Sequence, residues 1–355
     1  MCIREQPEFF ESLIASGELD FILMNRPLSV DYDYLHKLEE GRIDEIRPCT
    51  RCMHCHWDAA DDGNLTFSCR TNAAHPFRFV TGQLTGSYDP EPAATAKNVV
   101  VVGAGPAGLE AARVAAERGH SVTLYEKKGS VGGLLEFANN VKGPHENLSV
   151  LRSYFERQME VLGVNVMLNT EATADIIAEA SPDIVIAATG GVRDTLGLSD
   201  TAGTKVVGID DFMMADIAEE VVIVGSNVQA IDAAMYLLAQ GKHVQVVTPN
   251  AASAIGAGHS FWVKTFTQPN MKALGVRFWP EATVTAVNDG SVTVKTATGI
   301  EQEIACGTIV EALDCLPNDS LSTGLSCEVV TVGDAARPFN IGEAICSGNA
   351  AARAI

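Results

Sequence analysis

Residues 98–126 read NVVVVGAGPAGLEAARVAAERGHSVTLYE. A β-branched run, a glycine-rich turn, an alanine-rich stretch and a second β-branched run follow without interruption. Short apolar runs bounded by such turns are buried parallel strands, and the stretch between them has helical periodicity. The pattern predicts a strand over Asn98–Val102, a helix over Pro106–Gly119 and a strand over Ser121–Tyr125. In the turn, Gly103 permits the tight bend, Gly105 lets the backbone approach a pyrophosphate, and Gly108 lets the helix pack on the strand. Pro106 and Ala107 begin the helix, whose N-terminus offers N–H groups and a partial positive charge to phosphates. Glu126, with Lys127 beside it, closes the second strand, where an acid accepts hydrogen bonds from ribose hydroxyls.

Three downstream features distinguish FAD from NAD, because each resembles a position of FAD-dependent oxidoreductases. Gly132-Gly133-Leu134 stands where a glycine pair folds over the dinucleotide, and Ala188-Thr189-Gly190 ends an apolar strand (Asp183–Ala188) at a sharp turn. Gly333-Asp334 follows a late strand, where an acid meets the ribityl–phosphate region. A second β-α-β unit runs from Glu220 to Val247 with the loop Gly225-Ser-Asn227-Val-Gln-Ala230. It keeps the first glycine, replaces the second with Asn and the third with Ala, and has Thr248 where a ribose-binding acid belongs. NAD(P)H binding through Gly225 and Asn227 stands against a fold retained for packing. The alternation in ATVTAV and SVTVKTA is antiparallel, and the chain returns through Val329–Asp334 to a final helix ending at Ile355. The expected architecture is α/β: two nested dinucleotide-binding, Rossmann-like domains with parallel sheets. The first comprises 96–210 and 325–355 and binds FAD; the second, of NAD(P) type, comprises 211–324.

Four of nine cysteines form Cys49-x2-Cys52-x2-Cys55-x13-Cys69. Three closely spaced thiolates and a distant fourth suit the corners of a [4Fe–4S] cluster. Zinc more often takes two separated C-x2-C knuckles, although His54 and His56 leave it open. Cys2, Cys306, Cys315, Cys327 and Cys346 are scattered and read as small apolar fillers. Residues 49–95 form the cluster loop and a linker, rich in Cys, Gly and Pro. Residues 1–48 read as a helix, an apolar strand over Asp20–Met24 and a second helix from Asp33 to Gly41, too small a unit to hold a core. The remaining Asp, Glu and His residues read as solvated surface.

The 355 residues allow two or three domains. With 46% hydrophobic and 20% charged residues, the composition is that of a soluble globular protein. The net charge of −20 repels phosphate backbones, so nucleic acid is not an expected partner. No apolar run reaches the length of a membrane span, and MCIREQPEFF lacks the pattern of a secretory signal. A cytoplasmic location without membrane partners is expected.

The stretches LDFILMNRPLSVDYDYLHKLEEGRIDEIRPCTRC (19–52), VVVVGAGPAGLEAARVAAERGHSVTLYEKKGSVGGLL (99–135) and VVTVGDA (329–335) resemble the C-terminal half of the 2,4-dienoyl-CoA reductase and trimethylamine dehydrogenase family of NADH:flavin oxidoreductases. The resemblance extends over residues 12–355. It implies that residues 1–48 are the last unit of a (β/α)8 barrel carrying FMN, with Arg26 matching the arginine on the FMN phosphate. It implies Cys49, Cys52, Cys55 and Cys69 as cluster ligands and the Gly103–Gly108 loop with Glu126 as the dinucleotide site. Electron flow runs from NAD(P)H through FAD and the cluster to FMN in the reductases, and from FMN to the cluster in the amine dehydrogenases, whose FAD-like site can hold ADP alone. The C-x2-C-x2-C spacing resembles the amine dehydrogenase branch. Asn25 departs from a usual glycine, and Glu311-Ala-Leu-Asp-Cys315 from a usual Ala-Thr-Gly turn. The expected function is an NAD(P)H–FAD–[4Fe–4S] oxidoreductase module working with an FMN barrel subunit or a missing N-terminal region, in an oligomer. The alternative is a non-catalytic electron-transfer or assembly subunit with structural nucleotide sites.

Overall fold

The computed structural model describes residues 7–56, 69–74, 79–80, 83–84, 89–143, 146–259, 261–318, 320–321 and 324–355. Cys2 lies outside them. The apolar runs form two parallel five-stranded sheets. The first has the order Glu328–Thr331, Ile184–Ala187, Asn98–Val102, Ser121–Tyr125, Asn165–Met167. In it, Val102 lies opposite both Tyr125 and Ala187. The second has the order Arg277–Trp279, His243–Val247, Glu220–Val224, Thr308–Glu311, Lys205–Gly208. A three-stranded antiparallel sheet of Ala282–Asn288, Ser291–Thr296 and Glu301–Ala305 accounts for the period-2 alternation read there. The last strand of the first sheet arrives from beyond the whole second sheet, so one unit is inserted in the other.

The chain divides into two compact units. One is Met1–Asn139, Gly143–Gly191 and Pro317–Ile355; the other is Asn140–Lys142 and Val192–Leu316. In the first, Val99, Val101, Leu124, Ile184 and Ile186 of the sheet are covered by Leu109 and Val114 of the helix Pro106–Glu117, by Leu151 and Phe155 of Leu148–Val161, and by Ile345 and Ala352 of Ile341–Ala354. The final helix approaches the glycine-loop helix so closely that a Cβ on Gly348 would stand 2.1 Å from the Ala107 carbonyl oxygen. No helix among the described residues is long and apolar enough to cross a membrane.

Three expectations are corrected. The strand expected over Asp20–Met24 is not formed: this segment pairs with no strand, and Phe21 is 76% and Leu23 89% exposed. A strand needs neighbours for its backbone groups, and none of the described residues supplies them. A short helix, Arg26–Val30, follows, begun by Pro27 in its first turn. Lys205–Gly208, within 96–210, belongs to the second sheet, because Val206 and Val207 pair with Ile309 and Val310. Lastly, several acids are buried rather than solvated, among them Asp31, Glu110, Glu146 and Asp232.

Glu110, on the second turn of the glycine-loop helix, is completely buried. It pairs with Arg113 at 2.9 Å and Arg47 at 3.3 Å, and accepts a hydrogen bond from Asn349 Nδ2 at 2.8 Å. Arg47 also donates to the Thr71 carbonyl at 2.6 Å and lies over the Tyr154 ring. Burial alone would raise the Glu110 pKa, but the two arginines and the Asn349 hydrogen bond outweigh it and bring it to about 2. A depressed carboxylate pKa adds stability above its ordinary value of 4.5, and that stability is lost as pH falls through about 2. Glu110→Ala would remove the carboxylate paired with the buried Arg47 and leave Arg113 with Glu117 alone, and urea unfolding at neutral pH should register a loss of about 3–5 kcal/mol. Glu110→Gln should flatten the acid limb of the stability curve between pH 4.5 and 2. A change within about 0.5 kcal/mol, the range of an ordinary surface substitution, would show that the network is not structural.

Candidate functional site

The first glycine loop is built by two close approaches and one opening. A Cβ on Gly103 would lie 2.3 Å from the Ala188 carbonyl oxygen, and one on Gly108 would lie 1.9 Å from the Gly103 carbonyl oxygen, so neither position admits a side chain. Gly105, between them, faces open space, with nothing within 4 Å of its missing Cβ. Pro106 and Ala107 open the helix with Gly105 as its N-cap, and no side chain caps it. Its first-turn N–H groups therefore stay available to an anion beside an open backbone.

Glu126 is buried at the end of its strand. Its carboxylate accepts from the Ala104 N–H at 2.8 Å and from the Lys128 N–H at 2.8 Å, which fixes it beside the loop while Lys127 stays exposed. Gly132 donates its N–H to the Ala104 carbonyl at 2.8 Å, and a Cβ on Gly133 would meet Gly105 Cα at 3.0 Å, so the glycine pair folds onto the loop. Leu134 caps the helix Leu135–Lys142. Thr189 follows Ala188, and its buried Oγ1 has no hydrogen-bond partner among the described residues; Gly190 turns the chain with φ of 78°. Gly333 packs against Ala107 and donates its N–H to Ser347 Oγ at 2.8 Å, while Asp334 is half-buried and accepts from the Phe339 N–H. An open backbone cradle, a fixed carboxylate and an orphaned hydroxyl fit the pyrophosphate and ribose of a dinucleotide.

In the second unit Gly225 repeats Gly103: its Cβ would meet the Ala312 carbonyl oxygen at 2.1 Å. Asn227 does not repeat Gly105. Its side chain caps the following helix by accepting from the Ala230 N–H at 2.9 Å, and donates to the Ala312 and Leu313 carbonyls.

The cysteine segment lies in the first unit, and its described parts are joined at the base. Thr71 Oγ1 donates to the Pro48 carbonyl at 3.2 Å and lies 3.5 Å from Cys69 Sγ, linking the two ends of the segment. Arg51 and Met53, flanking Cys52, have φ of 59°, a conformation non-glycine residues rarely adopt and one that concentrates at functional sites. Burial pushes the Cys55 thiol up to about 11; neighbouring Cys69 and Cys52 add to the rise, and Arg26 opposes it. Burial also raises Cys69, against a hydrogen bond with Thr71. Among the described residues, no group of three or more His, Cys, Asp and Glu side chains is gathered as a metal site. Arg26, at the start of the helix Arg26–Val30, reaches this loop, with Nη1 3.8 Å from Met53 Sδ. Of the scattered cysteines, Cys306 is buried core, whereas Cys315 Sγ accepts from Arg193 at 3.0 Å.

Arg47, Glu110, Asn349 and Ser347 were not legible as site residues. The signal for Glu110 was present, since it lies on the helix among Leu109, Ala111 and Ala112 where an apolar side chain belongs.

The family model of the pyridine nucleotide-disulphide oxidoreductases matches residues 97–334. The NADH oxidase of Thermoanaerobacter brockii is 37% identical over 251 residues, 69% of this chain and 37% of that protein. Two solved structures share the fold over 99% of the chain. A 2-naphthoyl-CoA reductase in complex with 2-naphthoyl-CoA has a TM-score of 0.84 at 31% identity, with 53% of its length covered. Histamine dehydrogenase from Rhizobium sp. 4-9 has a TM-score of 0.79 at 25% identity, with 54% covered. The chain thus spans about half, or less, of the length of these relatives. It belongs to the pyridine nucleotide-disulphide oxidoreductase family and is the counterpart of the C-terminal half of the NADH:flavin oxidoreductases.

Proposed function

We propose that the chain is an iron–sulfur flavoprotein oxidoreductase module that passes electrons between FAD and a [4Fe–4S] cluster, to or from an FMN-binding barrel outside this sequence. The observation that carries the FAD assignment is the open backbone at Gly105, between two glycines that admit no side chain. Bound flavin supplies the conversion between hydride and single electrons, and a cluster supplies one-electron carriage. The uncapped helix behind Gly105 receives the pyrophosphate, and Glu126 orients the ribose. Gly333 and Asp334 close the far end of the site. Cys49, Cys52, Cys55 and Cys69 hold the cluster; the positive φ angles at Arg51 and Met53 and the Thr71 staple support a loop shaped for it. Coordination would hold the Cys55 and Cys69 thiols as thiolates against the burial that raises their pKa. The exposed Phe21 and Leu23, with Arg26 nearby, support a covering partner.

Family membership favours NAD(P)H as the flavin's two-electron partner. A second reading, an amine-dehydrogenase-type subunit with FAD or ADP as a structural nucleotide, is favoured by the C-x2-C-x2-C spacing.

Anaerobically purified protein should contain about four irons and four sulfides per chain, lost in Cys52→Ala and kept in Cys306→Ala; stoichiometric zinc without sulfide would refute the cluster. Gly105→Val should lose the flavin and keep the iron. Glu126→Gln should weaken flavin binding by about 1–2 kcal/mol, read by equilibrium dialysis; retention of full affinity in both variants would refute the site. Co-expression with a barrel-encoding neighbour should yield a complex holding FMN as well as FAD, with FMN lost in Arg26→Ala. Absence of any association would remove the partner.

A further inference from the structure

The two glycine loops of this chain can be compared atom for atom, because their strands share one register. Val102 pairs with Tyr125 and Ala187, and Val224 with Val247 and Glu311. Gly103 donates its N–H to Tyr125 as Gly225 does to Val247, and Ala188 donates to Val102 as Ala312 does to Val224. Gly105 therefore corresponds to Asn227, Glu126 to Thr248, and Thr189-Gly190 to Leu313-Asp314.

At each of these places the second unit has lost the feature that receives a dinucleotide. The space that lies open at Gly105 is occupied by the Asn227 side chain. Its Nδ2 stands 3.1 Å from the Ala312 oxygen, 3.1 Å from the Leu313 oxygen and 3.1 Å from Asp314 Oδ1, while its Oδ1 takes the Ala230 N–H. Where Gly190 leaves the turn bare, Asp314 places a carboxylate facing the helix N-terminus, and a phosphate there would meet like charge. Where Glu126 offers a carboxylate, Thr248 is fully buried and its hydroxyl accepts from the Asn250 N–H at 3.2 Å.

We infer that Asn227 and Asp314 close the second nucleotide groove, so that this unit does not hold NAD(P)H and the flavin exchanges its electrons with the cluster and the barrel alone. The inference rests on the electron-transfer role proposed above and removes NAD(P)H from it as the flavin's partner. It stands on the second unit's own geometry, so nucleotide binding is measured independently of flavin content. Titration of the purified chain with NADH and with NADPH, followed by calorimetry, should show no saturation up to about 1 mM, the upper end of ordinary enzyme–substrate affinities. The N227G/D314G variant should gain affinity about tenfold or more, about 1.4 kcal/mol. N227S/D314G, which keeps a helix-capping hydroxyl, should show the same gain if the glycine variant fails to fold. Saturable binding by the unaltered chain below about 1 mM, or no gain in a folded variant, would overturn the inference. Flavin analysis of the same preparations reports separately on the first unit; protein lacking flavin would refute the FAD assignment and leave this result standing.

Discussion

A single buried carboxylate joins three parts of the chain that are far apart in sequence. Glu110 projects from the glycine-loop helix and meets Arg47, just before the first cysteine of the segment, and Asn349 on the final helix. Arg47 continues to the Thr71 carbonyl, just past the last cysteine. A charge taken fully out of water is tolerated only when paired and hydrogen-bonded, and each partner here supplies part of that compensation. The base of the cysteine segment, the glycine-loop helix and the final helix are therefore held by one network rather than by three independent packings.

On that frame, the glycine contacts set the geometry of the dinucleotide site. The strand that ends at Ala187 brings the Ala188 carbonyl against Gly103, and the helix that follows the loop can leave at its observed angle only because Gly108 has no side chain. The open backbone at Gly105 is what these contacts leave. The final helix returns over Ala107 through Gly348, and Ser347 accepts the Gly333 N–H, so the late Gly-Asp turn is fixed by the same helix that carries Asn349. The second unit reproduces the tight approach at Gly225 without the opening. The close contact and the opening are thus separable: the second unit keeps the strand–helix packing at Gly225 and fills the other position with the Asn227 side chain.

The N-terminal region depends on other contacts. Asp31 accepts from the Arg47 N–H at 2.7 Å and pairs with Lys37, and Asn72 donates to the Val30 carbonyl, so residues 30–37 are tied to the cysteine segment. Before them, Arg26 reaches Met53, while residues 20–24, with Phe21 and Leu23 exposed, have no such ties among the described side-chain contacts. Phe21 and Leu23 face outward, and nothing within the described residues forms the sheet they would enter.

Local sequence determined much of the fold. The runs at Asn98–Val102, Ser121–Tyr125, Ile184–Ala187, Glu220–Val224 and His243–Val247 are continuous, β-branched and bounded by glycine or a helical stretch, and all formed the expected parallel strands. The Gly103–Gly108 turn was legible for the same reason, since strand, turn and helix are contiguous and their geometry is local. No strand forms over Asp20–Met24 despite its apolar run, because such a run says nothing of whether a neighbouring strand exists. Lys205–Gly208 falls within the range expected for the first domain but joins the second sheet, because two apolar residues carry no information about which edge they join. Only the tertiary structure showed that Glu110 is a buried counter-ion, because its partners come from residues 47 and 349. Likewise only the structure showed that Asn227 turns back onto the Ala312–Asp314 turn. Backbone preferences act between neighbours along the chain and can be read there; the burial of a charge and the filling of a groove depend on which distant atoms arrive, and those are set only when the chain has folded.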